Sequence, residues 1–397
     1  MGTGCSDASD PTTAPSSTLT VTDSAGIPVA SFHRDRLPVL AELSEHPEWI
    51  IGEGGDPGLD PALHGVISVL QVAEGRIAIA EGSTQEVLFA DLDNGRIHRA
   101  SGAGDGPEEF RGLSALYRSG DEGVLAADRR RHRMVALQWG GEFVGASSLP
   151  DLLAGGLMGH LLLDGTGSVY IAQLGAMHAP DPARSRRPMG ALVRMGERAD
   201  TVTMLQGQEL FSNEEAAGSV FWGVSTQVAP APDGIWVGDT GMSQVELWRE
   251  PGQPSTIIRW SDDSDRRVTE ADEDRFFAQL EELAGPEERV QLEAMRPMIV
   301  FAEERPFFGP MVVGRDGSLW IGPPRDPAFD VFEGAGGGLA PPAEWLVVDL
   351  ENGKAGRVVT PAGFRLLEAG GGYVLGVHRD PVGLESVRRY RVVTPSD

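Results

Sequence analysis

An arginine-rich run carries the most concentrated positive charge of the chain. It is Asp128-Arg-Arg-Arg-His-Arg133, in a protein of formal net charge −26. Guanidinium groups bind carboxylate, sulfate and phosphate groups through paired N–H donors. The run predicts either an anion clamp or a solvated turn whose arginines pair with nearby acids, and both interpretations stay open. Comparable pairs follow at Arg325-Asp326 and in His378-Arg379-Asp380. The predicted ligand-binding residues are Arg129, Arg131, His132, Trp222, Arg325, His378 and Arg379.

Three histidines are candidate metal ligands: His160, His178 and His378. Three imidazoles can hold a catalytic zinc ion and leave one coordination position open. The chain contains no short ligand motif such as His-x-x-x-His around them, so the alternative is a set of isolated surface or turn histidines.

Three acids, Glu81, Asp128 and Asp239, recur at one position of a repeated phrase. An acid at such a position accepts backbone N–H groups of the following turn. The alternative is a ring of carboxylates that binds Ca²⁺ through hard oxygen ligands. Both hypotheses place the three residues at equivalent points of a repeat.

Trp222, Phe307 and Phe308 each precede the first strand of a predicted unit. Packing between units is one interpretation of these aromatic residues. If Trp222 is exposed at the mouth of the structure, its indole ring is expected to stack on a sugar.

A repeated phrase must position all of these residues. It consists of a turn glycine, a short β-rich run ending in a small residue, and often an acid. Its copies begin at Gly75, Gly123, Gly167, Gly234, Gly317 and, more weakly, Gly372. A phrase that returns at roughly 40–50 residues is typical of a propeller or another repeat array.

One unit contains four predicted strands, Val66–Val72, Arg76–Ala80, Glu86–Asp91 and Arg96–Ala100. Asp93-Asn94-Gly95 predicts a tight type I′ turn between the last two. Four strands in about 40 residues correspond to one antiparallel propeller blade. The predicted fold class is therefore all-β, a six-bladed β-propeller of four-stranded blades. The remaining units are expected at 113–149, 160–205, 224–261, 311–360 and 364–393.

A helical insert is predicted before the fifth blade, at about residues 267–297. Thr269 and Asp272 match a capping box at its start. Phe276, Phe277 and Leu280 fall near helical spacing. The insert is interpreted either as a decoration packed on the fifth blade or as a lid or partner-docking element.

The N-terminal residues 1–17 are rich in Ser, Thr, Asp, Pro and Ala and predict a disordered tether, followed by one propeller domain over 18–397. Thr3-Gly4-Cys5 resembles the last three positions of a bacterial lipobox, although no apolar segment precedes it. Cys5 is therefore interpreted either as the lipid-bearing residue of an exported lipoprotein or as an incidental cysteine. The lipoprotein interpretation is favoured, and it predicts an extracytoplasmic monomer that contacts a membrane only through a lipid on Cys5. The acidity argues against a nucleic acid as partner.

The segment Arg99-Ala-Ser-Gly-Ala-Gly-Asp-Gly-Pro-Glu-Glu-Phe110 resembles the linker of bacterial six-bladed propellers related to NHL repeats, and Ile235-Trp-Val-Gly-Asp239 is similar to their second-strand core. The resemblance implies that an N-terminal strand, within Leu19–Phe32 or Trp49–Gly52, completes the last blade. The chain departs from the pattern at Gln173, Pro323 and Val377, where the second-strand acid is missing.

The first functional hypothesis is a non-catalytic extracytoplasmic binding or scaffold propeller that recognises a protein or a small anionic or sugar ligand at one face. The alternative, implied by the resemblance to NHL-type lyases, is a metal-dependent lyase or lactonase with Ca²⁺ or Zn²⁺ in the central channel. A third is a structural component of an envelope assembly. Whether the protein is an enzyme stays open, because propellers host many unrelated activities.

Overall fold

Six four-stranded antiparallel sheets form a ring, as predicted. The structure is a computed structural model that describes residues 19–55, 58–120, 122–149, 157–176, 187–196, 199–212, 217–284, 286–296, 299–327 and 340–394. The predicted tether and Cys5 therefore lie outside the described residues.

The first three blades follow one another directly along the chain, and in each the first strand is innermost. Blade one comprises β5 (Val66–Ala73), β6 (Arg76–Glu81), β7 (Glu86–Asp91) and β8 (Arg96–Ala100). Blade two comprises β9 (Leu113–Ser119), β10 (Gly123–Asp128), β11 (Arg133–Leu137) and β12 (Phe143–Ser148). Blade three comprises β13 (Leu157–Leu163), β14 (Val169–Ala176), β15 (Met189–Met195) and β16 (Ala199–Gln206).

Two insertions interrupt the second half of the ring. A short hairpin, β17 (Leu210–Ser212) with β18 (Ala217–Ser219), precedes blade four, which comprises β19 (Thr226–Ala231), β20 (Gly234–Asp239), β21 (Gln244–Trp248) and β22 (Thr256–Ser261). Helices α1 (Glu270–Leu283) and α2 (Pro286–Met295) precede blade five, which comprises β23 (Met311–Val313), β24 (Leu319–Ile321), β25 (Ala343–Asp349) and β26 (Lys354–Thr360).

Blade six closes the ring with strands from both ends of the chain. It comprises β27 (Phe364–Gly370), β28 (Tyr373–Arg379), β29 (Glu385–Val393) and the N-terminal β4 (Trp49–Gly52). β4 pairs antiparallel with β29, and Ile51 lies opposite Val387. Of the two segments that the resemblance offered for this role, Trp49–Gly52 is therefore the one used. The pairing satisfies an edge that would otherwise be open.

Residues 19–52 form an N-terminal strap that ends in β4 and runs along the outer edges of three blades. Its hairpin, β1 (Thr20–Ser24) and β2 (Ile27–His33), was predicted from the alternation of residues. β2 adds to the outer strand of blade four in parallel, with Val29 opposite Ile257. The strap then donates the Leu40 N–H to the Arg357 carbonyl of blade five, at 2.9 Å. β3 (Glu42–Leu43) finally pairs with β29 of blade six.

Hydrophobic packing is divided among the blade interfaces. Among the described residues, each of the six interfaces has its own cluster of buried side chains. Among the described side chains, the cluster between blades two and three has the fewest buried members, namely Ala127, Met134 and Leu163. A separate cluster lies beneath the helical insert. The interior is therefore a ring of separate cores around a central axis.

A buried carboxylate cross-links blades at the face where first strands turn into second strands. Glu368 of blade six is 5% exposed. It accepts the backbone N–H of Gln71 in blade one at 3.2 Å and a guanidinium N–H of Arg118 in blade two. Tyr373 donates its hydroxyl to the same carboxylate. These bonds satisfy a charge that would be costly to bury alone, and they link three blades.

The helical insert begins as predicted. The Asp272 carboxylate accepts the Thr269 N–H at 3.0 Å, which completes the capping box. Phe276 and Leu280 are buried in the cluster beneath the insert. Neither described helix has the length and apolar content needed to cross a bilayer.

One turn differs from the prediction. The loop between β7 and β8 spans four residues, and Gly95 takes a φ of 57° whereas Asn94 does not take a positive φ. A two-residue type I′ turn would require both. The Asp91 carboxylate instead accepts the Asn94 N–H at 3.0 Å and stabilises the longer loop.

Ring closure predicts the effect of a single substitution in β4. Ile51 is 0% exposed and packs between blades six and one. We expect Ile51→Ala to lower the free energy of unfolding by about 2–4 kcal/mol through lost burial and a residual cavity. Urea unfolding followed by tryptophan fluorescence measures the change.

Val21→Ala is the matched control, because Val21 lies in the same strap but is 61% exposed. Its expected effect is below about 0.5 kcal/mol. Equal losses in the two variants would show that the closing strand contributes no more than the exposed hairpin.

Candidate functional site

A cavity of about 560 Å³ opens between blades three, four and five. It lies at the face where second strands end and first strands begin, because these ends coincide in antiparallel blades. The β17–β18 hairpin and the segment after it form part of the cavity wall. The helical insert borders this wall where Phe276 packs against Trp222. Its described lining residues are His160, Gln208, Ser219, Val220, Phe221, Trp222, Gly223, Ser225, Gln227, Thr240, Pro306, Phe308, Gly309, Pro310, Pro324, Arg325 and Pro327.

The charge of this lining differs from that of the whole chain. None of its 17 described residues is acidic, whereas 59 of the 397 residues of the chain are Asp or Glu. Arg325, which is exposed in the loop after β24, is the one Asp, Glu, Lys or Arg among them. Arg325 therefore gives the described wall a positive charge on a strongly acidic protein.

Trp222 forms the aromatic wall between the cavity and the helical insert. It is 9% exposed and packs with Phe276 and Phe301, at centroid distances of 6.0 and 5.3 Å. The Arg305 guanidinium lies 5.1 Å from its ring centroid and forms an ion pair with Asp272 of α1 at 2.8 Å. Most of the surface of the indole ring is thus covered by protein, although the residue still lines the cavity.

The backbone of Trp222 is strained. Its φ of 53° lies in the left-handed region, which is unusual for a bulky residue. Strain of this kind costs on the order of 1–3 kcal/mol and persists where the surroundings determine the conformation. Here the aromatic cluster and Arg305 hold the side chain in place.

Blade four supplies a polar wall that the sequence did not reveal. The buried Thr240 hydroxyl accepts the Ser225 N–H at 2.9 Å, and Gln227 donates to the Ser225 hydroxyl at 3.1 Å. Thr240 directly follows Asp239, which holds the acid position of the repeated phrase. The repeat could therefore have located Thr240, but not the residues it contacts.

His160, predicted as a metal ligand, lies on the first strand of blade three and is exposed to the cavity. Because it sits within the ring, surrounding protein atoms reduce the solvation of its charged form. This desolvation, together with the positive charge of Arg129, lowers the pKa of His160 below its usual 6.5. The imidazole is therefore mainly neutral at pH 7.

A second cavity, of about 220 Å³, lies between blades two and three and also has His160 in its wall. It lies at the interface whose described cluster has the fewest buried residues. Arg129 lines it together with Tyr117, whose hydroxyl donates to the Leu161 carbonyl across the interface. Of the arginine-rich run, Asp128 and Arg129 line this cavity.

The other predicted members of that run have structural partners. Arg131 donates to the Gly106 carbonyl at 3.0 Å, and Arg133 to the same carbonyl at 3.2 Å. These bonds fasten the Gly-rich linker between blades one and two. His132 lies in the turn with a φ of 49°. The run thus divides between a cavity wall and a linker contact and does not form one basic patch.

The three repeated acids accept hydrogen bonds from their own turns or neighbouring loops. Glu81 accepts the Thr84 N–H at 2.7 Å and the Ser83 hydroxyl at 2.8 Å. Asp128 accepts the Arg131 N–H at 3.2 Å, and Asp239 accepts the Gly241 N–H at 2.9 Å. The geometry supports the turn interpretation of these acids.

The predicted metal ligands are not brought together among the described residues. His160 and His378 belong to blades three and six, on opposite sides of the ring, and His178 lies outside the described residues. Within the described part of the chain, one group of three side chains has suitable spacing for a metal, namely His33, Asp35 and Asp263 at the strap. None of the predicted ligands belongs to it.

The remaining predicted ligand-binding residues, His378 and Arg379, lie at the end of β28 in blade six. Burial and the nearby Arg388 lower the pKa of His378. Arg379 lies 3.9 Å from the buried Glu385 carboxylate, which accepts the Val66 N–H at 2.7 Å. Trp222, Arg325 and His160 therefore line the first cavity, and Arg129 lines the second cavity together with His160. His378 and Arg379 are not among the described lining residues of either cavity.

Comparison with known proteins identifies the architecture. No protein-family model and no curated protein matches the chain. Its structure is similar to a member of the DUF4221 family from Bacteroides vulgatus, with 9% identity and a TM-score of 0.50 over 89% of this chain and 99% of that one. At this identity the likeness shows the fold alone.

Two further structures show weaker similarity. A Bacteroides fragilis protein considered to be exported has 11% identity and a TM-score of 0.46, over 93% of this chain and 100% of that one. Regucalcin of Agrobacterium tumefaciens, a calcium-binding protein, has 11% identity and a TM-score of 0.42, over 91% and 98% of the two chains.

The turn bonds of Glu81 predict a pH-dependent contribution to stability. Burial acts to raise the pKa of Glu81, but the hydrogen bonds from Thr84, Ser83 and His64 outweigh it and lower the pKa below 4.5. A lowered folded-state pKa adds stability that is present above the unfolded-state pKa and is lost as the pH falls through the folded-state pKa. We expect Glu81→Gln to cost about 1–3 kcal/mol at pH 7, because the turn N–H and hydroxyl groups lose a charged acceptor.

Urea unfolding at pH 7, 5 and 3 tests this expectation, with the exposed Glu351→Gln as control. The difference between wild type and Glu81→Gln should shrink toward pH 3. If Ca²⁺ instead raises the melting temperature of the wild type but not of Glu81→Gln, the carboxylate is a metal ligand and the turn interpretation fails.

Proposed function

We propose that this propeller binds a small anionic ligand in the cavity between blades three, four and five. The observation that carries the proposal is the charge of the described lining, which holds Arg325 and no carboxylate on a protein of net charge −26. An anion placed there avoids the repulsion that it meets over most of the acidic surface. Arg325 supplies the planar N–H donors suited to carboxylate, sulfate or phosphate.

The rest of the wall fits a ligand with an apolar body. Phe221, Trp222 and Phe308 line the cavity with several prolines, and Ser225, Gln227 and Thr240 provide convergent polar groups. Apolar walls with a few placed polar groups are typical of small-molecule sites, and the volume of about 560 Å³ lies in their usual range.

Binding is better supported than catalysis by the described side chains. Among them, histidine is the one residue type whose usual pKa suits proton transfer near pH 7, and desolvation and Arg129 lower the pKa of His160 below that value. The predicted metal ligands lie apart, so the lyase or lactonase alternative gains no support from the described geometry.

The anion proposal predicts the effect of one charge removal. Thermal-shift screening of monocarboxylates, aromatic carboxylates, sulfated sugars and sugar phosphates selects a probe, and isothermal titration calorimetry measures its affinity. We expect Arg325→Gln to weaken that probe by about 10–100-fold, the usual worth of a charge-assisted hydrogen bond.

Arg379→Gln is the matched control, because Arg379 ends the second strand of blade six and is not among the residues that line the cavity. The affinity of Arg379→Gln for the same probe should stay within twofold of the wild-type affinity. If the two variants lose affinity equally, a rim patch and not the cavity binds the anion. Unchanged affinity in Arg325→Gln would overturn the proposal.

We also infer an extracytoplasmic location with a lipid on Cys5. Support comes from Thr3-Gly4-Cys5 and the polar segment that follows it. Expression of the full precursor in its native host, followed by fractionation, should place the wild type with membranes and Cys5→Ala in the soluble extracytoplasmic fraction. Equal distribution of both variants would argue against a lipid anchor.

A further inference from the structure

We propose that His33, Asp35 and Asp263 form a zinc site where the N-terminal strap meets blade four. One ligand atom from each residue, a ring nitrogen or a carboxylate oxygen, lies within 4.8 Å of the other two. The site is at the outer edge of the blade, where β2 pairs with β22, and shares none of the described lining residues of the cavity between blades three, four and five. It is therefore independent of the proposed anion site.

Parallel strand pairing brings the three residues together. β2 runs parallel to β22, with His33 opposite Ser261, so both strands end at the same edge of the sheet. His33 is the last residue of β2, and Asp35 lies in the short 3₁₀ turn Arg34–Arg36 that follows. Asp263 comes two residues after the end of β22. The Asp263 N–H also donates to the Asp35 carboxylate at 3.3 Å, which holds the two turns side by side.

The imidazole of His33 has a carboxylate near each of its nitrogens. Nε2 lies 3.3 Å from Asp263 Oδ2, and Nδ1 lies 3.9 Å from Asp35 Oδ2. Nδ1 is buried and has no hydrogen-bond partner among the described residues, because 3.9 Å is too long for a hydrogen bond. Two ligands at about 2.0–2.2 Å from a tetrahedral zinc ion lie about 3.4 Å apart. Small side-chain rotations thus suffice for one ring nitrogen and both carboxylates to share an ion.

The two carboxylates have the freedom and the charge that this requires. The side chains of Asp35 and Asp263 are 50% and 81% exposed, whereas that of His33 is 23% exposed. The neighbouring Arg34 is held by a different acid, since it forms an ion pair at 3.0 Å with the buried side chain of Asp262. A neutral imidazole with two ionised carboxylates carries two negative charges, which a divalent cation neutralises.

The donor set favours zinc over calcium. Imidazole nitrogen and carboxylate oxygen are both ordinary zinc ligands, and three protein ligands leave one tetrahedral position for water. Calcium prefers about 6–8 oxygen ligands, whereas two carboxylates offer at most four oxygens. A nitrogen donor therefore contributes to a zinc site and adds little to a calcium site.

Zinc bound here fastens the strap to the segment that leads from β22 into α1. Unfolding separates His33 and Asp35 from Asp263, because the two segments lie far apart in the chain. Zinc consequently binds the folded state more tightly than the unfolded state and raises its stability by mass action.

Zinc titration of the untagged, metal-free protein tests the site. Isothermal titration calorimetry and thermal unfolding are carried out with ZnCl₂ and, for comparison, with CaCl₂. We expect one zinc ion per chain and a rise of at least about 3 °C in the unfolding midpoint at saturating zinc. Asp263→Asn should weaken zinc binding at least 10-fold, because even an outer-shell partner of a metal ligand contributes about 10–100-fold. His33→Ala should weaken it at least as much.

His46→Ala is the matched control, because His46 is an exposed histidine of the same strap and lies outside the cluster. Its zinc affinity should stay within twofold of the wild-type affinity. Asp263 is highly exposed, so Asp263→Asn should leave the metal-free unfolding midpoint unchanged, which separates loss of the site from loss of the fold.

Three results would overturn the inference. The first is a wild type that binds no zinc. The second is wild-type zinc affinity in both Asp263→Asn and His33→Ala, or an equal loss in His46→Ala. The third is calcium binding as tight as that of zinc and lost in the same variants, because the imidazole would then contribute nothing to the site.

Discussion

Closure of the ring is the constraint on which the rest of the structure depends. Each blade buries its faces only against its two neighbours, so an open ring would expose two apolar blade faces and one strand edge. The chain meets this requirement by pairing β4 with β29 and by running the strap over the outer edges of blades four, five and six. At the opposite face, Glu368 links blades six, one and two through buried hydrogen bonds.

Broken symmetry then creates the site. Blades one and two follow the repeat closely, whereas blades four and five are preceded by a hairpin and by two helices. The segment after the hairpin supplies Val220, Phe221 and Trp222 to the cavity wall. The Asp272–Arg305 pair connects the first turn of α1 to Trp222, so the helical insert takes part in shaping the cavity. The described cluster beneath the insert joins its helices to Phe221 and Trp222, which precede blade four.

Charged side chains at the ends of the second strands have different structural roles. The acids of the repeated phrase accept hydrogen bonds from N–H groups of their turns. Arg131 and Arg133 donate hydrogen bonds to a carbonyl of the Gly-rich linker. Such groups are held by partners and contribute to the geometry of the blades. Arg129 and Arg325 lie in loops whose residues line cavities. Residue type alone does not separate these roles, since all four arginines lie in loops after second strands or at their neighbouring strand ends.

The sequence by itself determined the blades, because turn glycines, alternating strands and the capping box of α1 act over a few residues and are visible as local patterns. It also located the loops at one face, since the repeated phrase marks equivalent points such as Glu81 and Asp239. Only the tertiary structure decided that Trp49–Gly52 closes the ring, that β2 pairs in parallel with β22, and that His160, Trp222 and Arg325 share a wall. Those contacts join residues far apart in the chain, and their partners are set by which blades and insertions lie side by side. The physical reason is that strand formation depends on near neighbours, whereas a site depends on where the closed ring places distant loops.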